Sequence, residues 1–276
     1  MAAVNVSAEN KPFELSRVGA LTFDLIRREF VTVYGFAVAI AAVPAVLSYF
    51  AGRDYTLALQ AQLQPHGAVA AHWSQILPQL LLAYLLSLLA TLLIYAVLSW
   101  GAVEQLQGRN PTIGERLSAA LRALPVLAGV VILGYLAIFF ASILLLIPGL
   151  ILMTMWTLVA PAAVCEKIGV FATFGRSSEL THGHRWSIFL LLLIFWLGSA
   201  AIGLLALALE HGISGASGPW YGSNFTGLAG YIAIAVNILI GGLYHVVAGV
   251  GVGVAYHELR RAEGSFDSRS LADVFA

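Results

Sequence analysis

Charge is scarce in this sequence: 14 Lys and Arg balance 14 Asp and Glu across 276 residues, and charged residues make up 10% of the chain. A water-soluble domain carries about a quarter, because its surface must be wetted. With 60% hydrophobic residues and a mean hydropathy of +0.88, the missing charge implies that lipid solvates much of the surface. A net charge of zero argues against nucleic acid as a partner. A single cysteine, Cys165, excludes an intramolecular disulfide and reads as a small packing residue. The first apolar run begins at Val31, too late for a secretory leader.

Also missing are the usual catalytic constellations. No paired carboxylates and no Ser/His/Asp set fall in a plausible common pocket. His182-x-His184 with His257 lacks a fourth ligand at metal-binding spacing, so no metal is expected. Gly249, Gly251 and Gly253 fail as a dinucleotide fingerprint, because no strand precedes them and Val254 stands where the third glycine belongs. No cofactor is expected.

What is present is a set of long runs without Lys, Arg, Asp or Glu: residues 31–50, 76–103, 125–165, 186–209 and 227–256. About 20 apolar residues cross a bilayer core. The run 125–165 is twice too long for one span and is expected to turn at Pro148-Gly149, giving spans 125–147 and 149–165. That makes six spans, an all-α membrane bundle in a single domain, residues 1–276. Thirteen of the 14 basic residues then fall on one side, leaving Arg53 on the other, so both termini are expected to be cytoplasmic. Residues 51–75 and 210–226 become the outer loops, and 258–276 a cytoplasmic tail. Trp73, Trp100, Trp156, Trp186 and Trp220 fall near span ends, as an aromatic belt would.

Three cytoplasmic segments read as amphipathic interfacial helices: 14–30, 112–124 and 168–182. In the first, Leu15, Val18, Leu21, Leu25 and Ile26 oppose Arg17, Asp24, Arg27 and Arg28. The second opens with a capping box, Thr112 and Glu115. In the third, Val170, Phe171 and Phe174 are apolar, Arg176 and Glu179 polar, and Gly183 is the stop. Their basic residues, Arg27, Arg28, Arg116 and Arg122 among them, are expected to face anionic headgroups. Together with the spans they suggest three parallel hairpin repeats, 13–103, 112–165 and 168–257.

Two polar stripes run through the spans. On the last, Asn237, Gly241, His245, Gly249 and Gly253 recur every fourth residue; on the second, Tyr84, Ser87, Thr91, Tyr95 and Ser99 do nearly the same. An intramembrane site of Asn237, His245, Tyr84, Thr91 and Tyr95 facing the bundle interior is one reading, helix packing the other.

Pro161-Ala-Ala-Val-Cys-Glu166, Gly169, Arg176-Ser-Ser-Glu179-Leu180 and Gly183-x-x-Trp186 form a pattern, flanked by Ile147-Pro148-Gly149 and by Tyr256-x-x-Leu259-Arg260-x-x-Glu263-Gly264. It resembles the bacterial membrane domain sometimes fused to glycerophosphoryl diester phosphodiesterases, and the related YciC-type inner-membrane proteins. The likeness covers most of the chain. The catalytic barrel's His-Arg-Gly and paired acids are absent, His184-Arg185 being followed by Trp186. The resemblance therefore implies a bacterial inner-membrane module without esterase activity, and directs attention to Pro161, Glu166, Arg176, Glu179 and Trp186. Glu166 either caps the following helix or bonds to Arg176.

The function expected on these grounds is a non-enzymatic, envelope-associated membrane protein engaging lipid. Its partners would be anionic headgroups at the cytoplasmic face, with a membrane-protein partner or a second copy as alternatives. The competing classes are a transporter or flippase component with its path along the sixth span, and a lipid-headgroup enzyme.

Overall fold

A computed structural model describes residues 13–63, 73–214 and 228–275. The described chain is helical: α1 (Leu15–Leu63), α2 (Trp73–Leu106), α3 (Ile113–Leu144), α4 (Leu146–Met155), α5 (Val159–Glu166), α6 (Val170–Thr181), α7 (Arg185–Ser214) and α8 (Leu228–Phe275). Six of the helical stretches are long and apolar enough to cross a membrane, α4 and α5 counting together as one. The expected outer loops are shortened accordingly, since α1 runs on to Leu63 and α7 to Ser214. Trp220, residues 64–72 and most of the expected loop 210–226 lie outside the described residues.

Charge gathers at one end of the bundle, where Arg17 pairs with Glu258, Arg116 with Glu29 and Arg176 with Glu166 across helices, and Glu104 pairs with Arg109 in the α2–α3 connection. The core is thickest toward that end. Val246, Val250, Val254, Tyr256 and Leu259 of α8 pack with Ile94 and Leu98 of α2, Val18 and Leu25 of α1, and Ile188 of α7. Away from it, large apolar side chains such as Leu81, Phe139, Trp196 and Tyr231 face outward, as lipid-solvated helices require. Glycine decides the closest approach: Gly249 of α8 seats Leu98, and Gly253 lies on the backbone of Ser99.

The segments expected to lie free in the interface are built differently from one another. In α1 the helix kinks at Glu29 (φ −126°, ψ 27°), and the apolar face before the kink is taken up by α8 instead of lipid. Residues 112–124 form no separate helix: α3 starts at the Thr112/Glu115 capping box, passes Pro125 unbroken, and runs 32 residues, about 48 Å. Pro125 and Leu121, whose carbonyl the proline frees, both lie on the exposed face of α3. α6 is separate, but it buries Thr173, Ser177, Leu180 and Thr181 and leaves Phe171 outside.

The hairpin expected at Pro148-Gly149 instead turns three residues earlier, at Leu145 (φ −159°, ψ 139°). Pro148 falls in the first turn of α4, where a missing N–H breaks no helical bond. Gly149 then lets α4 lie against Ser142 of α3; a Cβ there would meet that hydroxyl.

The fourth span is broken between α4 and α5, around Trp156–Leu158. Broken backbone at this depth needs partners, and α6 supplies them. Ser177 Oγ accepts from the Leu158 N–H at 3.2 Å and donates to the Met155 carbonyl at 2.7 Å. Thr181 Oγ1 donates within its own helix to the Ser177 carbonyl at 3.0 Å and stands 3.4 Å from that of Met155. Replacing Ser177 with alanine is expected to destabilise the protein by about 1–3 kcal/mol, because a buried N–H is left unsatisfied. Amide exchange at Leu158 is expected to accelerate selectively. Unchanged unfolding and unchanged exchange would show that the brace carries no weight.

Candidate functional site

At the charged end, α5 finishes at Glu166 and the chain reverses through Lys167, a non-glycine residue with left-handed φ of 52°. The reversal brings α6 back along α5 and sets Arg176 beside Glu166. Arg176 Nε donates to both Glu166 oxygens, at 3.0 and 3.1 Å. Its two terminal nitrogens donate to the two oxygens of Glu263, at 2.8 and 2.6 Å, a forked pairing that fits guanidinium to carboxylate. Glu179, one turn along α6, sits at 3.5 Å and is largely exposed. Tyr256, fully buried on α8, donates its hydroxyl to Glu166 at 2.6 Å.

One guanidinium therefore ties α5, α6 and α8 together. The carboxylates of Glu263 and then Glu166 raise the Arg176 pKa against the opposing effect of burial, so the hub keeps its cation. Of the residues singled out by the sequence pattern, Glu166, Arg176 and Glu179 meet. Pro161 is buried in the first turn of α5, and Trp186 faces outward with 84% of its surface exposed. Tyr256 and Glu263 complete the cluster from a distant part of the chain.

A second ion pair escaped the sequence reading. Arg116 is only 3% exposed and does not face headgroups as expected. It donates to Glu29 at the α1 kink (2.6 Å) and to the Pro111 carbonyl (3.1 Å), lying across Gly101 of α2. Nothing local to residue 116 announces a partner 87 positions away. Arg17 pairs with Glu258 at 3.0 Å, and Arg109 with the buried Glu104.

Within the spans, the expected polar site is divided. Tyr95 and His245 do meet, edge to face with centroids 5.9 Å apart, and Tyr244 leans on the same imidazole at 5.7 Å. Asn237 and Tyr84 are exposed on their helices and do not join them, against the expectation that Asn237 faces the interior. Thr91 is half-buried, while Ser87 and Ser99 return their hydroxyls to their own helix at Ala83 and Ala96. The lower half of the α8 stripe is filled directly by α2 at Gly249 and Gly253, so it is a packing contact there.

The three histidines do not converge: His182 is exposed, and the other two have different neighbours. His184 packs on Phe13 at 5.5 Å, and His257 lies 3.6 Å from Glu258. Among the described residues no group of His, Cys, Asp or Glu is arranged to hold a metal ion. Comparisons with the models of known protein families, with curated proteins and with solved structures return no match for this chain.

Proposed function

We propose that the chain is a non-enzymatic membrane module that engages anionic lipid through its charged end. That end would face the cytoplasm of a bacterial cell with both termini inside. The observation that carries this reading is how charge divides at that end. Glu29, Glu104, Glu166 and Glu258 are drawn inward into ion pairs. Arg27, Arg28, Arg122, Lys167, Arg260 and Arg261 remain exposed, outnumbering the exposed Glu14, Glu115, Glu179 and Glu263. A chain of zero net charge thereby presents a basic rim, with Phe23 (70% exposed) and Trp186 beside it as apolar anchors. Basic side chains interleaved with aromatics suit the headgroup zone of an anionic leaflet. The resemblance to phosphodiesterase membrane domains and YciC-type proteins implies a membrane module without esterase activity, which is compatible with this reading. A protein partner or a second copy on this rim is the competing occupant.

Each basic residue near such a surface contributes about 1 kcal/mol. Reversing four of them (Arg27→Glu, Arg28→Glu, Arg260→Glu, Arg261→Glu) is expected to remove about 4 kcal/mol of lipid coupling. The measurement compares melting in neutral phosphatidylcholine nanodiscs with nanodiscs rich in phosphatidylglycerol. The native chain should melt higher in the anionic discs, and the variant should lose most of that difference. An equal gain in both proteins would dismiss the lipid-reading rim.

A further inference from the structure

We infer that Tyr95, Tyr244 and His245 form a lateral binding site, inside the membrane, for an amphiphile with an uncharged hydroxyl- or carbonyl-bearing head. The cluster is assembled from two helices. Tyr95 comes from the buried stretch of α2, and Tyr244 and His245 come from α8. The His245 ring is held edge to face on Tyr95 (interplanar angle 88°) and tilted against Tyr244 (57°).

The His245 Nδ1 is sealed from the surface and has no hydrogen-bond partner. Within a span such a group is costly, and the ordinary solution is a neighbouring helix that satisfies it. Here the neighbours are phenols whose hydroxyls rotate freely to donate or accept. The imidazole as a whole is half-buried, as is Tyr244, so the cluster reaches an accessible surface through these two rings.

The floor and the opening are both defined. Toward the charged end, Leu98 fills the space against Gly249 and closes the gap between α2 and α8. One turn the other way, Gly241 has nothing within 4 Å of the place a Cβ would take, and Asn237 beyond it is exposed. A ligand therefore enters from the apolar side. These groups come from the uncharged stretches 76–103 and 227–256, so none of their neighbours on those stretches can neutralise a charged head. A phosphate-bearing head has nothing to neutralise it here, whereas a hydroxyl or ester carbonyl finds phenols and an imidazole. This site stands apart from the basic rim and does not depend on it.

The test uses the full chain in phosphatidylcholine nanodiscs, with either a diazirine-tagged diacylglycerol or an equally tagged phosphatidylglycerol. The diacylglycerol should label peptides around Tyr95 and Tyr244, about tenfold above the anionic probe. Losing one or two hydrogen bonds in Tyr95→Phe or His245→Leu should cut that labelling by about fivefold or more. Melting of the full chain is measured alongside; if His245→Leu fails to fold, Tyr95→Phe and Tyr244→Phe, which keep their ring shape, decide. Equal labelling by the two probes overturns the proposal. So does labelling that survives both tyrosine variants. Labelling confined to the charged end would assign the probe to the rim and overturn the lateral site.

Discussion

Replacing Gly253 with alanine is expected to destabilise the bundle by about 3 kcal/mol, and replacing it with leucine should leave no folded protein to purify. A Cβ at 253 would stand 2.6 Å from the Ser99 carbonyl oxygen, 2.7 Å from its Cα and 3.1 Å from the Ala102 Cβ. Two of these atoms are backbone and have no rotamer to escape into. The helices must separate, and the contacts above and below separate with them, Leu98 on Gly249 first. Gly241, two turns from the crossing's upper edge, is the control. Nothing approaches its Cβ position, so alanine there should be neutral or stabilising by up to about 1 kcal/mol through helix propensity. Unfolding in detergent compares the two directly. Equal effects at 253 and 241 would mean that α2 and α8 do not meet as described.

The second large effect is expected at Arg176. Its removal, as Arg176→Met, leaves Glu166 with Tyr256 alone and Glu263 with no partner from α6. Breaking a buried pair costs about 3–5 kcal/mol, and partial exposure of Arg176 and Glu263 lowers this to about 2–3 kcal/mol. Arg176→Lys should recover little, because an ammonium cannot make the forked contact with Glu263 while also reaching Glu166. Combining Arg176→Met with Glu166→Gln should cost less than the sum of the two single changes, since the orphaned charge is gone. Additive losses would show that the two residues do not interact.

The membrane helices were legible because they depend on what is missing, charge, over lengths that only a bilayer explains. Their ends were less so. Pro148 marks a turn by its chemistry, yet a proline is also accommodated in the first turn of a helix, and Leu145 breaks the chain instead. The stripe from Asn237 to Gly253 misled for a geometric reason. Four residues advance a helix by about 400°, so the stripe drifts by about 40° per step and about 160° over its length. Its lower members face α2 while Asn237 turns outward.

The Glu166–Arg176 contact was legible as an alternative, since the two flank a short turn. Glu263 and Tyr256 stood in the same sequence pattern, but no local signal said that α8 would bring them to α6. Arg116 was read as a lipid contact because amphipathic periodicity shows which face is polar, and not whether water, lipid or a carboxylate from another helix meets it.

The position of α8 carries a consequence for how the molecule is made. Most of the core is organised around its stretch from Val246 to Leu259, and α8 follows every other described helix in the chain. Tyr34 donates to the Leu239 carbonyl across 205 positions. At translation rates of about 5–20 residues per second, α1 waits about 10–40 s for that partner. During the wait the glycine-seating face of α2 has no α8 to cover it. Newly inserted chains therefore pass through an open intermediate, in which Leu98 and Ser99 are exposed to whatever lies beside them in the bilayer. A helix supplied in trans with the small-residue face of α8 would find its most receptive target in that interval.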